Sequence, residues 1–457
     1  MADPFYEKLY HKLPVFLQHI AVSLYGFKLR NRRYNDLFHH YSEDLKVTEW
    51  HTNEDIETLQ NNKFRKLITH AYQTIPFYKK LYVKHGVNIS QIQTVDDIHQ
   101  LPIITKAEVK KAGAEFISDE FQTKQLIHTK TSGTTGTPLS VYQTRQSINL
   151  QWAYFWRSRI RFGLSIHDSH LMFGARMPVS QDQTHPPYWR YDYFNNRVYI
   201  STSHISAKTL DAIVNYLNRK EFIFYTGYPS AMYVLAKFID DKGLEIRNKP
   251  KIIAFGSDSV MPGQKKMIEE VFGAKIIEFY GMVEFAGTMS MCEYGRFHED
   301  HEHCYIETEK TNSHEAEKLI LTGWGNKAMP FIRYDIGDYA SRANDQCPCG
   351  RHTKSYSSID GRAEDFITTP DGRKLRGFNQ VFKNARNVLE IQVVQKSIEE
   401  VTLKIVPDEY FSDQDKLHLE NEFSKRAGKN INVNFELVES IKRLNNGKFK
   451  TVISHVD

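Results

Sequence analysis

Thr131-Ser132-Gly133-Thr134-Thr135-Gly136-Thr137-Pro138 lies between two β-rich runs, Gln125 to Lys130 and Leu139 to Gln143. Its two inner glycines allow a tight loop whose backbone N–H groups converge on one anion, and the hydroxyls add donors around it. Phosphate is the natural guest. A P-loop of the Walker type requires Lys after the last glycine and a helix to follow. Here Thr137 and Pro138 follow, then a strand-like alternation. A plain Ser/Thr/Gly turn is the bland alternative, but eight residues of this composition ended by proline exceed what a turn needs.

Working outward, the chain beyond the loop alternates β-rich and helical runs. Ser169 to Phe173, Phe222 to Tyr225, Lys251 to Phe255 and Lys275 to Tyr280 read as strands, and Thr209 to Arg219, Ser230 to Lys242 and Gly263 to Phe272 as helices. This alternation predicts α/β layers with a largely parallel sheet. Before the loop, residues 1–118 read as mainly helical, with Leu59, Phe64, Leu67, Ile68 and Ala71 at three- and four-residue spacing. A β-rich part runs from Cys304 to Ile336. Near Asp360 the character changes: strands at Glu390 to Gln395, Glu400 to Val406 and Asn432 to Leu437 surround a helix from Asp413 to Ala427. They predict a separate α+β domain of roughly 95 residues. The organisation expected is 1–118 as a helical part of the large domain, 119–360 as its α/β core, and 361–457 as a C-terminal domain.

Bulk properties narrow the class. The 457 residues are 40% apolar and 25% charged, a globular rather than a disordered balance. A formal charge of +5, with no long basic block, is too dilute to argue for nucleic acid. Cys292, Cys304, Cys347 and Cys349 are the four cysteines, all in one stretch. Sparse clustered thiols point to a reducing compartment and a metal rather than to a disulfide scaffold. The N-terminus lacks the basic-then-apolar order of a signal peptide, and the apolar run Pro14 to Phe27 is short of the roughly 20 residues that span a bilayer. A cytoplasmic enzyme without a transmembrane segment is expected, with a membrane-surface contact by this aromatic N-terminal run as the minor alternative to a core helix.

In its wording the 131–138 loop resembles the phosphate-binding signature of acyl-adenylate-forming enzymes, and is most similar to phenylacetate-CoA ligase and its relatives in capsule gene clusters. Other landmarks of that family occur in order over most of the chain. Tyr280-Gly281-Met282-Val283-Glu284 resembles its Tyr-Gly-x-Thr-Glu segment, implying a base stacked on Tyr280 and magnesium carried by Glu284. Gly256-Ser257-Asp258 falls where the family meets adenine and acyl group, though an Asx-type turn explains it equally well. Arg333-Tyr334-Asp335-Ile336-Gly337-Asp338 is similar to Arg-Tyr-x-Thr-Gly-Asp, which makes Asp338 the acceptor of the ribose hydroxyls. Asp360-Gly361-Arg362-Ala363-Glu364-Asp365 resembles the hinge to a mobile lid, with Arg362 reaching the nucleotide and Glu364 as pivot. Asn445-Asn446-Gly447-Lys448 looks like the family's Gly-Lys, with Lys448 stabilising charge on the α-phosphate as pyrophosphate leaves. Val283 and Ile336 depart from the pattern, each replacing an expected Thr.

The resemblance implies a large N-terminal adenylation domain and a small mobile α+β lid. The implied reaction uses ATP and magnesium to convert a small carboxylic acid to acyl-AMP. The acyl group then passes to CoA, or to an amine or hydroxyl of a saccharide precursor in capsule or surface polysaccharide biosynthesis. Transfer of AMP itself to a hydroxyl, and a non-catalytic nucleotide-binding protein on the same fold, are the alternatives. Cys292, His298, Cys347 and Cys349 supply four soft ligands from two loops, a donor set for structural zinc, with His301, His303 or Cys304 as substitutes for His298. Acidic Glu299, Asp300, Glu302, Glu307 and Glu309 around this cluster speak against a nucleic-acid module. Phe173 to Trp189, with Tyr225, Tyr228 and Pro229, is the stretch from which an acyl pocket would be built, although each aromatic there serves equally as core.

Overall fold

The computed structural model describes residues 9–131, 138–174, 178–256, 260, 262–310, 316–362, 367–370, 374–375, 387–428, 430–442 and 451–456. The chain divides into two compact units. One gathers Met1–Lys28, Ile166–Ile277 and Ala363–Asp457; the other gathers Leu29–Ser165 and Glu278–Arg362.

In the first unit the expected βα alternation is realised. Strand His170–Phe173 pairs in parallel with Arg197–Ile200 on one side and Phe224–Gly227 on the other, and Phe224–Gly227 pairs in parallel with Ile252–Phe255. Helices Leu210–Leu217, Pro229–Asp241 and Pro262–Phe272 make the connections. Strand Ile252–Phe255 is buried at all four positions, as a central parallel strand covered on both faces must be. Its core joins Leu171, Phe173, Ile213, Tyr225, Met232, Leu235, Ile253 and Ile276. An antiparallel edge strand, Trp189–Asp192, closes on Arg197–Ile200, two strands not among those expected from the sequence. Phe173 and Tyr225 are fully buried in this core, and a Cβ on Gly174 would lie 2.1 Å from the Tyr228 ring. These aromatics are packing residues.

The C-terminal part of the same unit carries the anticipated α+β pattern. Val388–Ser397 and Glu400–Pro407 form a hairpin, flanked in parallel by Val452–Ser454 and Asn432–Leu437, with helix Asp413–Ala427 contributing Leu419 and Phe423 to a small core. A capping box between Ser412 and Asp415 starts that helix, and Gly428 at φ 88° ends it.

The second unit starts with helices Asp36–Thr48, Asn53–Thr74 and Pro76–Lys84. Asn53–Thr74 buries Phe64, Leu67, Ile68 and Ala71, the residues at helical spacing in the sequence. They pack on an antiparallel meander built from Thr288–Met291, Phe297–Glu299, Cys304–Glu309, Glu317–Gly323, Phe331–Arg342 and Ser355–Arg362. The runs flanking the glycine loop, Ile127–Lys130 and Ser140–Gln143, pair antiparallel with each other rather than joining a parallel sheet. Helix Arg145–Ile160 was not evident in the sequence, because it buries Asn149, Arg157, Ser158 and Arg159 beside its apolar residues and shows no clean stripe.

Candidate nucleotide and metal sites

The glycine loop grows from a hairpin whose ladder continues one step past its strands. Thr131 N–H donates to the Leu139 carbonyl at 2.9 Å, and Leu139 N–H donates to Thr131 Oγ1 at 3.0 Å. Thr131 is buried, and its hydroxyl oxygen ties the neck of the loop. Ser132, Gly133, Thr134, Thr135, Gly136 and Thr137 lie outside the described residues.

Strand Lys275–Gly281 ends at the Tyr280-Gly281 pair, which faces Met289 and Thr288 across an antiparallel ladder. The turn that follows is held from three sides. Gln151 Nε2 donates to the Met282 carbonyl at 3.1 Å, and Phe285 N–H donates to the same carbonyl at 3.2 Å. Phe285 sits at φ 54°, a conformation a bulky residue adopts at a cost of order 1–3 kcal/mol, and its ring stacks on His303 at 3.8 Å. Glu284 precedes this residue and is 3% exposed. Val283 and Ile336, the two departures from the family pattern, are half-buried against the core of this unit.

Tyr280 and Asp338, far apart in sequence, meet in space: the phenol donates to Asp338 Oδ2 at 2.8 Å. Asp338 lies on Phe331–Arg342, after Gly337 at φ 80°, and opposite Arg362 in the ladder. Arg333 and Asp335 of the same segment work locally. Arg333 pairs with Glu307 at 2.8 Å and donates to the Leu101 carbonyl, and Asp335 pairs with Lys318 at 2.6 Å. Gly256 ends strand Ile252–Phe255 in the other unit, half-buried. Ser257, Asp258, Glu364 and Lys448 lie outside the described residues, and Arg362 is placed by its backbone alone.

The cysteine cluster assembles as a four-ligand set. Cys292, His298, Cys347 and Cys349 are all buried, and one ligand atom from each lies within 4.8 Å of the others. Cys292 Sγ is 3.7 Å from Cys347 Sγ, and Cys349 Sγ is 3.3 Å from His298 Nε2. A tetrahedron with zinc–sulfur bonds of about 2.3 Å has sulfur–sulfur edges near 3.8 Å, so the donors are spaced for that ion. Thr353 Oγ1, 3.1 Å from His298 Nδ1, fixes the ring that turns Nε2 inward. Burial, with Arg161 and Arg351 nearby, pushes His298 down to about 3, which keeps the imidazole neutral as a ligand must be. Burial pushes the Cys347 thiol up to about 12; for Cys349 burial acts the same way, but hydrogen bonds from Arg351 outweigh it and hold the thiol below its ordinary range.

The substitutes for His298 are engaged elsewhere. Cys304 Sγ contacts the Thr288 and Asp300 carbonyls at 3.7 Å, His301 faces His51, and His303 stacks on Phe285. The acidic run also corrects a sequence argument. Glu299, Asp300 and Glu302 are 3%, 0% and 4% exposed, so they form no acidic surface and say nothing about nucleic acid. Asp300 and Glu302 instead grip Arg157 of helix Arg145–Ile160. Gln151 and Arg157 are the positioning residues that sequence reading missed; a basic residue inside an aromatic helical run, with an acid-rich run downstream, was the available signal.

Residues 367–455 match the family described as the CapK C-terminal domain. Over 457 aligned residues the chain is 25% identical to protein CapK of Staphylococcus aureus, covering 98% of this chain and 99% of that protein. It is 22% identical to phenylacetate-coenzyme A ligase of Pseudomonas putida, covering 88% and 87% of the two chains. Among solved structures it resembles 2-hydroxyisobutyryl-CoA ligase in the postadenylation state, with a TM-score of 0.66 at 18% identity over 89% of this chain and 91% of that one. Sequence relatives that span most of the chain, together with a shared fold, support kinship with the acyl-adenylate-forming superfamily on its phenylacetate-CoA ligase-like branch.

Proposed function

We propose that the protein is an ATP-dependent adenylate-forming ligase. A carboxylate oxygen attacks the α-phosphorus of ATP, the bond to the bridging oxygen breaks, and pyrophosphate leaves as acyl-AMP forms. The acyl group then passes to CoA, or to an amine or hydroxyl of a saccharide precursor of capsule or surface polysaccharide, with AMP as leaving group. The observation that carries this reading is the Tyr280–Asp338 hydrogen bond of 2.8 Å. It sets an aromatic face for a base next to a carboxylate suited to a vicinal diol, the two ends of a nucleoside.

Each residue has one task. The Thr131–Thr137 loop takes the phosphates through its backbone amides, and Gly256, Ser257 and Asp258 border adenine and acyl group. Tyr280 and Gly281 line the base, Asp338 holds the ribose, and Arg362 and Lys448 approach the phosphates from the proposed lid, residues 361–457, which closes on a large domain made of 1–118 and 119–360. Glu284, a carboxylate only 3% exposed, fits an oxygen ligand to magnesium, which when bound neutralises phosphate charge. The four-ligand cluster fits zinc in a structural role, since a complete protein shell leaves no open position for a reacting water.

The test is acid-dependent exchange of labelled pyrophosphate into ATP over a carboxylic acid panel, repeated with and without CoA. Lys448→Ala should lower acyl-AMP formation by at least about a hundredfold, the loss expected for a transition-state charge partner. Absence of exchange with every acid, or AMP found on a hydroxyl acceptor by product mass, would overturn the proposal.

A further inference from the structure

Helix Val15–Arg33 is amphipathic in the reverse sense. Its inward face is polar: Gln18 and Ser23 are each 4% exposed. Arg190 Nε donates to Gln18 Oε1 at 2.6 Å, Tyr191 N–H to His19 Nδ1 at 3.1 Å, and Tyr193 N–H to Ser23 Oγ at 3.1 Å. Gly26 lets the helix touch the neighbouring hairpin, because a Cβ there would stand 2.2 Å from Asp192 Oδ1. Hydrogen bonds therefore dock the helix on this hairpin, while its buried apolar residue, Leu29, lies near its C-terminal end.

The outward face carries the apolar side chains. Phe16 is 62% exposed, Ile20 48%, Leu24 58% and Phe27 44%, at spacings of four, four and three residues along one stripe. Tyr25, Tyr193 and Phe194 widen it, and Phe27 meets Phe194 at 4.8 Å. From Phe16 to Phe27 the stripe is about 16 Å long. Exposed apolar side chains are ordinary when scattered; a contiguous stripe on a helix that hides its polar residues marks a contact surface.

Charge identifies the partner. Between Lys8 and Asn35 the sequence has Lys8, Lys12, Lys28, Arg30, Arg32 and Arg33 and no Asp or Glu. Lys12 and Lys28 are exposed and bracket the stripe. A second copy fits poorly: antiparallel pairing sets Lys12 against Lys28, and parallel pairing sets each lysine against its equivalent. An anionic bilayer surface satisfies both features, taking the aromatic and aliphatic ridge between headgroups while the lysines meet lipid phosphates. No helix among the described residues is long and apolar enough to cross a membrane, so the stripe would lie in the interface. We propose that residues 9–28, with Tyr193 and Phe194, form a docking surface for anionic membranes. The proposal stands apart from the reaction assigned above.

Full-length protein is sedimented with vesicles of phosphatidylcholine, or of equimolar phosphatidylcholine and phosphatidylglycerol. Binding is expected to the anionic vesicles, to weaken with added salt, and to fall by at least about tenfold in Phe16→Ser/Leu24→Ser. Lys12→Glu/Lys28→Glu should lose affinity several-fold, with circular dichroism unchanged in both variants. Phe16→Trp should show a blue-shifted emission on adding anionic vesicles. The proposal is overturned if the protein stays in the supernatant, if the serine variant sediments like the parent, or if the tryptophan emission does not move. It is equally overturned if light scattering reveals a dimer that the serine variant dissociates, for then a second copy covers the face.

Discussion

Replacing Arg157 with Met tests how the chain holds the turn that follows His298 against helix Arg145–Ile160. The guanidinium is 6% exposed and contacts Asp300 and Glu302, themselves 0% and 4% exposed, with Nη1 2.6 Å from Glu302 Oε1. Thr48 Oγ1 donates to the same Glu302 oxygen at 2.5 Å. Removing the cation leaves two buried carboxylates without their counter-charge, and breaking a buried pair of this kind costs about 3–5 kcal/mol. Burial alone would raise Glu302, but Arg157, followed by His301, holds it well below its ordinary value. In the parent, that part of the stability is complete above about pH 4.5 and is lost only as pH falls through the depressed native value. In Arg157→Met the balance reverses: burial dominates, the native carboxylate takes up a proton more readily than the unfolded one, and the variant regains ground as pH falls. Urea unfolding of parent and variant at about pH 8 and about pH 5.5 measures this. The gap should be about 3–5 kcal/mol at the higher pH and smaller at the lower. The triple variant Arg157→Met/Asp300→Asn/Glu302→Gln should recover most of the loss. A gap below about 1 kcal/mol, or one that widens as pH falls, would refute the reasoning.

Tyr280→Phe removes the donor to Asp338 and should raise KM for ATP several-fold with little change in kcat, whereas Asp338→Ala should raise it more; steady-state pyrophosphate release separates the two. Purified protein should contain one zinc per chain by elemental analysis, and Cys349→Ser should lower both the metal content and the melting temperature, as should prolonged chelation. His303, fully buried, is pushed down to about 3 by burial and then by Lys63. Below about pH 6.5 the unfolded chain binds a proton at this position that the folded chain refuses, so His303 should contribute about 2 kcal/mol to the stability lost between roughly pH 8 and pH 5, beside the like contribution of buried His298. His303→Phe, which retains a ring against Phe285, should lessen the loss by about that amount in denaturant titrations.

Much of the architecture was readable because the relevant signals are local. Strand Ile252–Phe255 is a continuous apolar run, strand Phe224–Gly227 begins in the run Phe222 to Tyr225, and Asn53–Thr74 repeats apolar residues at helical spacing, so composition and spacing announced them. The C-terminal strands and the helix Asp413–Ala427 were marked by local pattern as well, whereas the Ser412–Asp415 capping box emerged only in the structure. Helix Arg145–Ile160 and strand Trp189–Asp192 were not, since both bury polar groups whose partners are remote in sequence: Arg157 finds Asp300 and Glu302, and Arg190 finds Gln18.

The sequence by itself determined the residue types on which the chemistry rests: the glycine and hydroxyl loop, the Tyr-Gly and Gly-Asp segments, and three cysteines with a histidine. It also carried their order along the chain, which is what a resemblance reads. Tertiary structure alone decided pairings. It set His298 beside the three cysteines and turned His301, His303 and Cys304 to other partners, because spacing along a chain does not encode side-chain direction. It joined Tyr280 to Asp338 and turned the acidic run inward onto Arg157. Desolvation and hydrogen-bond direction act over a few ångströms in space, and only the folded chain sets those distances.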